Sequence, residues 1–144
     1  MLDDYVVAVL RRASDDLRAS LWPVLTAAGS AADRLDAAFA ILCEVCDRHA
    51  GVMTAMYGVP ARTQPDRPGR TTSFEFIEPF ERLLRDGNID GSLRSDAPLP
   101  DATVTANAVA WTYLHMRQAH RWDHPTTVAH VLPLATAHLR PDGA

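Results

Sequence analysis

The 144-residue, 15.8 kDa chain is long enough for one domain with a substantial core, and 47% hydrophobic against 22% charged residues is the balance of a globular protein. No apolar run approaches the length of a membrane span. The net charge of −4, with every one of the 14 basic residues an arginine, argues against these residues gripping nucleic acid by themselves, since that needs a basic face.

The chain opens on MLDDYVVAVLRR, which has neither the basic start nor the cleavage site of a secretion signal, so the expected location is the cytoplasm. Residues 2–21 carry Leu2, Val6, Val9, Leu10, Ala13, Leu17 and Leu21 on one helical stripe, with Arg11, Arg12, Asp15 and Asp16 mostly opposite. Pro23 is expected to end or kink that helix. Ser30, with Asp33 three residues on, reads as the cap of a second helix. Its apolar positions are Leu35, Ala38, Phe39, Leu42, Val45 and Cys46, and the stripe reaches His49. A short segment, 51–57, carries Val52, Met53, Met56 and Tyr57.

GVPARTQPDRPGR, residues 58–70, lacks periodicity and reads as a loop. A helix is expected over residues 72–85, burying Phe76, Ile77, Phe80, Leu83 and Leu84, with Pro79 bending it. Gly87 is expected to cap it in left-handed conformation, residues 88–91 to turn, and Asp96 or Asp101 to begin the next helix. That long helix runs from Asp101 to about Arg121, and a last one from the His124–Pro125 step to near Leu139. No strand pattern or internal repeat is evident, so the fold class is all-α, a bundle of about six helices in one domain spanning residues 1–144.

VTANAVAWTYLHMRQA is apolar on nearly every face, with Val104, Ala108 and Trp111 on one side and Ala106, Val109, Tyr113 and Met116 on another. A helix with so little polar surface is covered on both sides. TTVAHVLPLATAHL has no charge except what its histidines carry. Together they suggest a homodimer, a four-helix bundle across a two-fold axis, through Val109, Tyr113, Met116, Val128, Val131, Leu132 and Ala135. The alternative is burial of both helices in the centre of a monomer.

RDGNIDGSLRSD, residues 85–96, places Asp86, Asn88, Asp90, Gly91 and Leu93 at the spacing of an EF-hand calcium loop. The bidentate glutamate that such a loop requires last is Ala97, Pro98 follows it, and Arg94 puts a cation beside the ion. The same residues serve better as punctuation between two helices, and no ion is expected.

Cys43 and Cys46 form a CxxC within the second half of a helix, not at the N-terminus that stabilises a thiolate, so small buried hydrophobes are expected. His115, His120 and His124, with Asp123 among them, offer a metal reading, but a separation of five puts the first two on different faces. His115, beside Trp111 and Met116, is equally a satisfied core histidine or a polar group in an apolar cavity. Glu75, Glu78 and Glu81 look like one solvated helix face. No nucleophile elbow, phosphate loop or HExxH occurs, so no catalytic residue, resident metal or cofactor is assigned.

The order of parts resembles the C-terminal, effector-binding domain of a TetR-family transcriptional regulator. The pointers are SAADRL opening a second helix after a proline-ended first, FIEPFERLLRDGNIDGSLRSD before two apolar helices, and the terminal HLRPDGA. The resemblance implies a bacterial homodimer with a pocket for a small, mostly apolar effector, and Trp22, Phe39, Met53, Met56, Tyr57, Phe76, Phe80, Trp111 and His115 are its candidate lining. It also implies a DNA-reading helix-turn-helix of a longer parent, expected to be absent from this chain. Two rival readings are a structural dimeriser without a cavity and a small helical enzyme or metal protein using His115, His120 and His124.

Overall fold

In the computed structural model, residues 2–58 and 76–141 are described, leaving out the side chains of Leu2, Asp3, Val6, Met56 and Tyr57. They form helices α1 (Leu2–Leu25), α2 (Ala31–Arg48), α3 (Ala50–Gly58), α4 (Ile77–Asp90), α5 (Pro98–Gln118) and α6 (His124–Thr136), closed by a 3₁₀ turn, Ala137–Leu139. No strand is present among the described residues.

The element boundaries correct several expectations. Pro23 does not end α1, which continues to Leu25 around it. The start expected at Thr72 lies outside the described residues, and Pro79 sits in the first turn of α4, where an amide has no intrahelical partner to lose. Gly87 is not the cap of α4. It is buried inside the helix, and the left-handed residue is Gly91, φ 79°, whose amide donates to the Gly87 carbonyl at 2.9 Å. A Cβ on Gly87 would land on the Leu93 side chain, so this glycine is a seat for the chain folding back and not a stop. Helix α5 begins at Pro98, which takes the first-turn role expected of Asp101, and ends at Gln118. Arg121 then turns in left-handed conformation, φ 56°, and Asp123 caps α6 by accepting the Thr126 amide at 2.8 Å.

Helix α2 is the centre of the bundle and touches all five other helices. Its inward residues Leu35, Ala38, Phe39, Leu42, Val45 and Cys46 meet Leu17 and Leu21 of α1, Phe80, Leu83 and Leu84 of α4, and the inner face of α5. Each large side chain so buried contributes on the order of 1.5–3 kcal/mol. Helix α1 packs on α2, α3 and α4 and makes no contact with α5 or α6.

The two apolar faces of α5 are now told apart. Ala102, Thr105, Ala106, Val109, Ala110, Tyr113 and Leu114 point inward. Val109 and Tyr113 have no exposed surface, so neither reaches a second copy while this packing holds, which corrects their place in the expected interface. Val131 and Leu132 of α6 are nearly as enclosed, while Met116, Val128 and Ala135 are half-buried. Periodicity missed this because a helix apolar all round does not say which face its own core takes.

Candidate functional site: an aromatic interior and an outward apolar face

The interior between α2 and α4 is aromatic. Phe39 and Phe80 stack with ring centroids 4.9 Å apart and 12° between planes, and Phe76 meets Phe80 edge-on at 6.3 Å. Of the candidate lining residues, Phe39, Phe76 and Phe80 are brought together inside, while Met53 of α3 is fully buried elsewhere in the same continuous core. Trp22, Trp111 and His115 are not: Trp22 is 63% exposed, Trp111 49%, and His115 lies outside with it. These three are corrected from lining to surface residues, because their helical phase follows the outer faces of α1 and α5. Met56 and Tyr57 lie outside the described side chains.

A polar seam that the sequence reading missed joins α2, α5 and α6. The Tyr113 hydroxyl donates to Asp47 Oδ2 at 2.6 Å, and its oxygen lies 2.6 Å from His124 Nδ1. With its single proton committed to the carboxylate, the phenol accepts from the imidazole, which fixes the proton on Nδ1. Arg117 donates through Nε to Asp47 Oδ1 at 3.2 Å and through Nη1 to the Trp122 carbonyl at 2.8 Å. Burial, and then the bond to Asp47, pushes the Tyr113 phenol well above its ordinary value. The i, i+4 pair Tyr113 and Arg117 was the available signal, but the face they share was read as an interface.

A second unforeseen cluster fastens α1. Asp16 accepts from Arg48 Nε at 2.9 Å and Nη2 at 3.2 Å, and from Ser20 at 3.3 Å, while His49 Nε2 lies 2.9 Å away. The Arg48 bond is the main reason that the Asp16 carboxyl sits below its usual range. Arg48 and His49 straddle the α2–α3 junction, so this carboxylate ties α1 to the start of α3.

The stretch with calcium-loop spacing is fully engaged in other work. Asp86 pairs with Arg34, Asn88 brackets the Ser95 backbone through both amide atoms, and Asp90 and Ser92 accept the Ala31 and Ala32 amides. Cys43 and Cys46 are buried and unpaired by disulfide, with burial raising both thiols, Cys46 to about 12. No cluster of three or more His, Cys, Asp or Glu arranged for a metal occurs among the described residues. A polar cleft of about 310 Å³ opens beside the start of α5, lined by Arg94, Asp96, Ala97, Asp101, His138 and Arg140. Asp101 accepts from the Ser95 hydroxyl, His138 Nε2 lies 3.4 Å from the Thr105 hydroxyl, and Arg140 pairs with Asp36.

The outward surface of α5 carries Val104, Ala108, Trp111 and His115 at i, i+4, i+7 and i+11. Val104 is 69% exposed, and Leu134 on α6 is 81% exposed. His115 stacks flat on Trp111 at 5.0 Å, and His120 meets His115 edge-on at 5.2 Å. Trp122 packs on His130 at 5.4 Å. The exposed residues of both helices include no Asp, Glu or Arg.

None of the described helices is long and apolar enough to cross a membrane. No protein-family model matches the chain, and no curated protein sequence does. Among solved structures, the fold is similar to that of a transcriptional regulator of the TetR/AcrR family from Thermobifida fusca YX-ER1. The TM-score is 0.71, over 96% of this chain and 75% of that one, at 19% sequence identity. At that identity the likeness is one of fold.

Proposed function

We propose that this chain is the effector-binding and dimerisation domain of a TetR-like transcriptional regulator. The observation that carries the reading is the correspondence of fold across nearly the whole chain with a TetR/AcrR regulator. In this reading the protein acts in the cytoplasm, DNA is contacted by a helix-turn-helix that is not part of these 144 residues, and no reaction is catalysed. The rival enzyme or metal reading has less support: His124 Nδ1 is committed to Tyr113, and His115 is stacked on Trp111.

The effector site is the aromatic interior, Phe39, Phe76 and Phe80, continued by Met53, Met56 and Tyr57 on α3. Its ligand is small and mostly apolar, as that lining dictates. A ligand entering beside Met53 displaces α3, and the Asp16 bonds to Arg48 and His49 carry the displacement to α1. It does so only to the extent that the ligand binds one arrangement of α3 more tightly than the other. Dimerisation uses the outward stripe Val104, Ala108 and Trp111 together with Leu134.

A thermal-shift screen of apolar compounds, repeated on Phe80→Ala, tests the effector site. Stabilisation of the wild type that the variant loses supports it, and a flat screen counts against it. Sedimentation tests the assembly: Val104→Glu and Leu134→Glu yield folded monomers. A wild type that is already monomeric overturns the dimer.

A further inference from the structure

Three donor atoms from three different helices face one another in the polar seam. Tyr113 Oη of α5 lies 2.6 Å from Asp47 Oδ2 of α2 and 2.6 Å from His124 Nδ1 of α6, and the last two atoms are 3.5 Å apart. We propose that this seam binds a divalent transition-metal ion of the zinc class, with Asp47 Oδ2, Tyr113 Oη and His124 Nδ1 as its protein ligands. The proposal stands apart from the effector site and from any assembly of the chain.

Spacing carries it. Ligands about 2.1 Å from one zinc ion in tetrahedral arrangement stand about 3.4 Å from each other. The carboxylate and imidazole atoms already have that separation. The phenol oxygen, drawn between them by two hydrogen bonds, needs to recede by less than about 1 Å once the bridging protons leave. Imidazole nitrogen and carboxylate oxygen are ordinary zinc ligands, and a phenolate adds a third, anionic oxygen. No cluster of three His, Cys, Asp or Glu occurs among the described residues, and this set differs from that pattern in having a tyrosine.

The surroundings suit an open site. Asp47 and His124 keep 32% and 36% of their side chains exposed, so an ion enters from that side and water takes the fourth position. Tyr113 is fully enclosed and forms the floor, with its ring edge-on to the imidazole at 5.7 Å. Arg117 Nε donates to Asp47 Oδ1 at 3.2 Å, which holds the carboxylate with Oδ2 toward the other two donors. Its Nη1 is anchored on the Trp122 carbonyl at 2.8 Å, and its charge is offset by the carboxylate and the phenolate. On binding, the phenol releases its proton to solvent and the imidazole proton passes from Nδ1 to Nε2. One ion therefore displaces one proton, and no electron changes hands.

Zinc chloride titrated into the full chain at about pH 8 tests this, followed by ultraviolet difference spectroscopy and by calorimetry in two buffers of unlike ionisation enthalpy. The wild type is expected to develop the absorbance of one tyrosinate per chain and to release about one proton per ion. Tyr113→Phe loses the tyrosinate signal, and His124→Gln weakens binding about tenfold or more. The double variant His115→Gln, His120→Gln keeps both signal and affinity, which separates the seam from zinc held by exposed histidines. Absence of a tyrosinate signal in the wild type, its survival in Tyr113→Phe, or undiminished affinity in His124→Gln overturns the proposal.

Discussion

Asp90, in the last turn of α4, accepts the backbone amide of Ala31, the first residue of α2, at 2.8 Å, although 59 positions separate them. Ser92 accepts the next amide, of Ala32, at 3.0 Å, and Ser30 accepts the third, of Asp33, at 3.1 Å. Three amides that a helix start leaves without partners are thus satisfied, two of them from across the bundle. The central helix is fastened at its N-terminus by the stretch that resembles a calcium loop.

Replacing Asp90 should therefore loosen the whole bundle and not the local turn alone. Asp90→Ala is expected to lower the thermal midpoint at neutral pH more than Asp96→Ala, a nearby exposed control. The Ser92 hydroxyl, and next the Ala31 amide, hold the Asp90 carboxyl below its usual value. Its contribution is present above the ordinary carboxylate range and is lost as the pH falls through the lowered value. Melting curves from about pH 7 to 3 should show the wild type losing its advantage over Asp90→Ala at the acid end. Equal midpoints at neutral pH would contradict the capping role.

Gly87→Ala sets helix propensity against packing. In an exposed helix the change gains up to about 1 kcal/mol. Here the added methyl collides with Leu93, and overpacking of that kind costs about 1–3 kcal/mol. Urea unfolding should show net destabilisation, and the double change Gly87→Ala with Leu93→Ala should recover part of it. A stabilised single variant would mean that Leu93 moves aside freely.

Tyr113→Phe removes the hydroxyl shared by Asp47 and His124 and should destabilise by about 1–2 kcal/mol in urea, the low end because both partners reach water. Of the three tyrosines, this one should resist ionisation in an alkaline spectrophotometric titration until the protein unfolds. The raised value means that its contribution is complete below the ordinary phenol range and declines as the pH rises above it. Ionisation of all three phenols together near pH ~10, with the fold intact, would refute the arrangement.

Cys43 and Cys46 should not react with Ellman's reagent in the native protein at neutral pH, because burial leaves almost no thiolate on either. Both should react at once in denaturant. Rapid native labelling would contradict the burial of both thiols.

Much of the architecture was legible from residue order. The stripes Leu10, Leu17, Leu21 and Leu35, Phe39, Leu42 are core because their 3.6-residue period survives any packing. Ser30 caps α2 because a serine before an apolar run has a local donor to accept. What stayed out of reach involved partners distant in sequence: Asp16 with His49, Tyr113 with Asp47, Asp90 with Ala31.

By itself the sequence determined an all-helical bundle, its approximate elements, the aromatic set Phe39, Phe76 and Phe80, and two helices too apolar to be left bare. Only the tertiary structure decided which face of α5 the core takes, that Gly87 is a packing seat with Gly91 as the left-handed stop, and that the aspartates between α4 and α5 clasp α2. The reason is physical. Periodicity and capping are local properties of consecutive residues, whereas choosing between two apolar faces, or supplying an amide from across the bundle, depends on which helix arrives next to which.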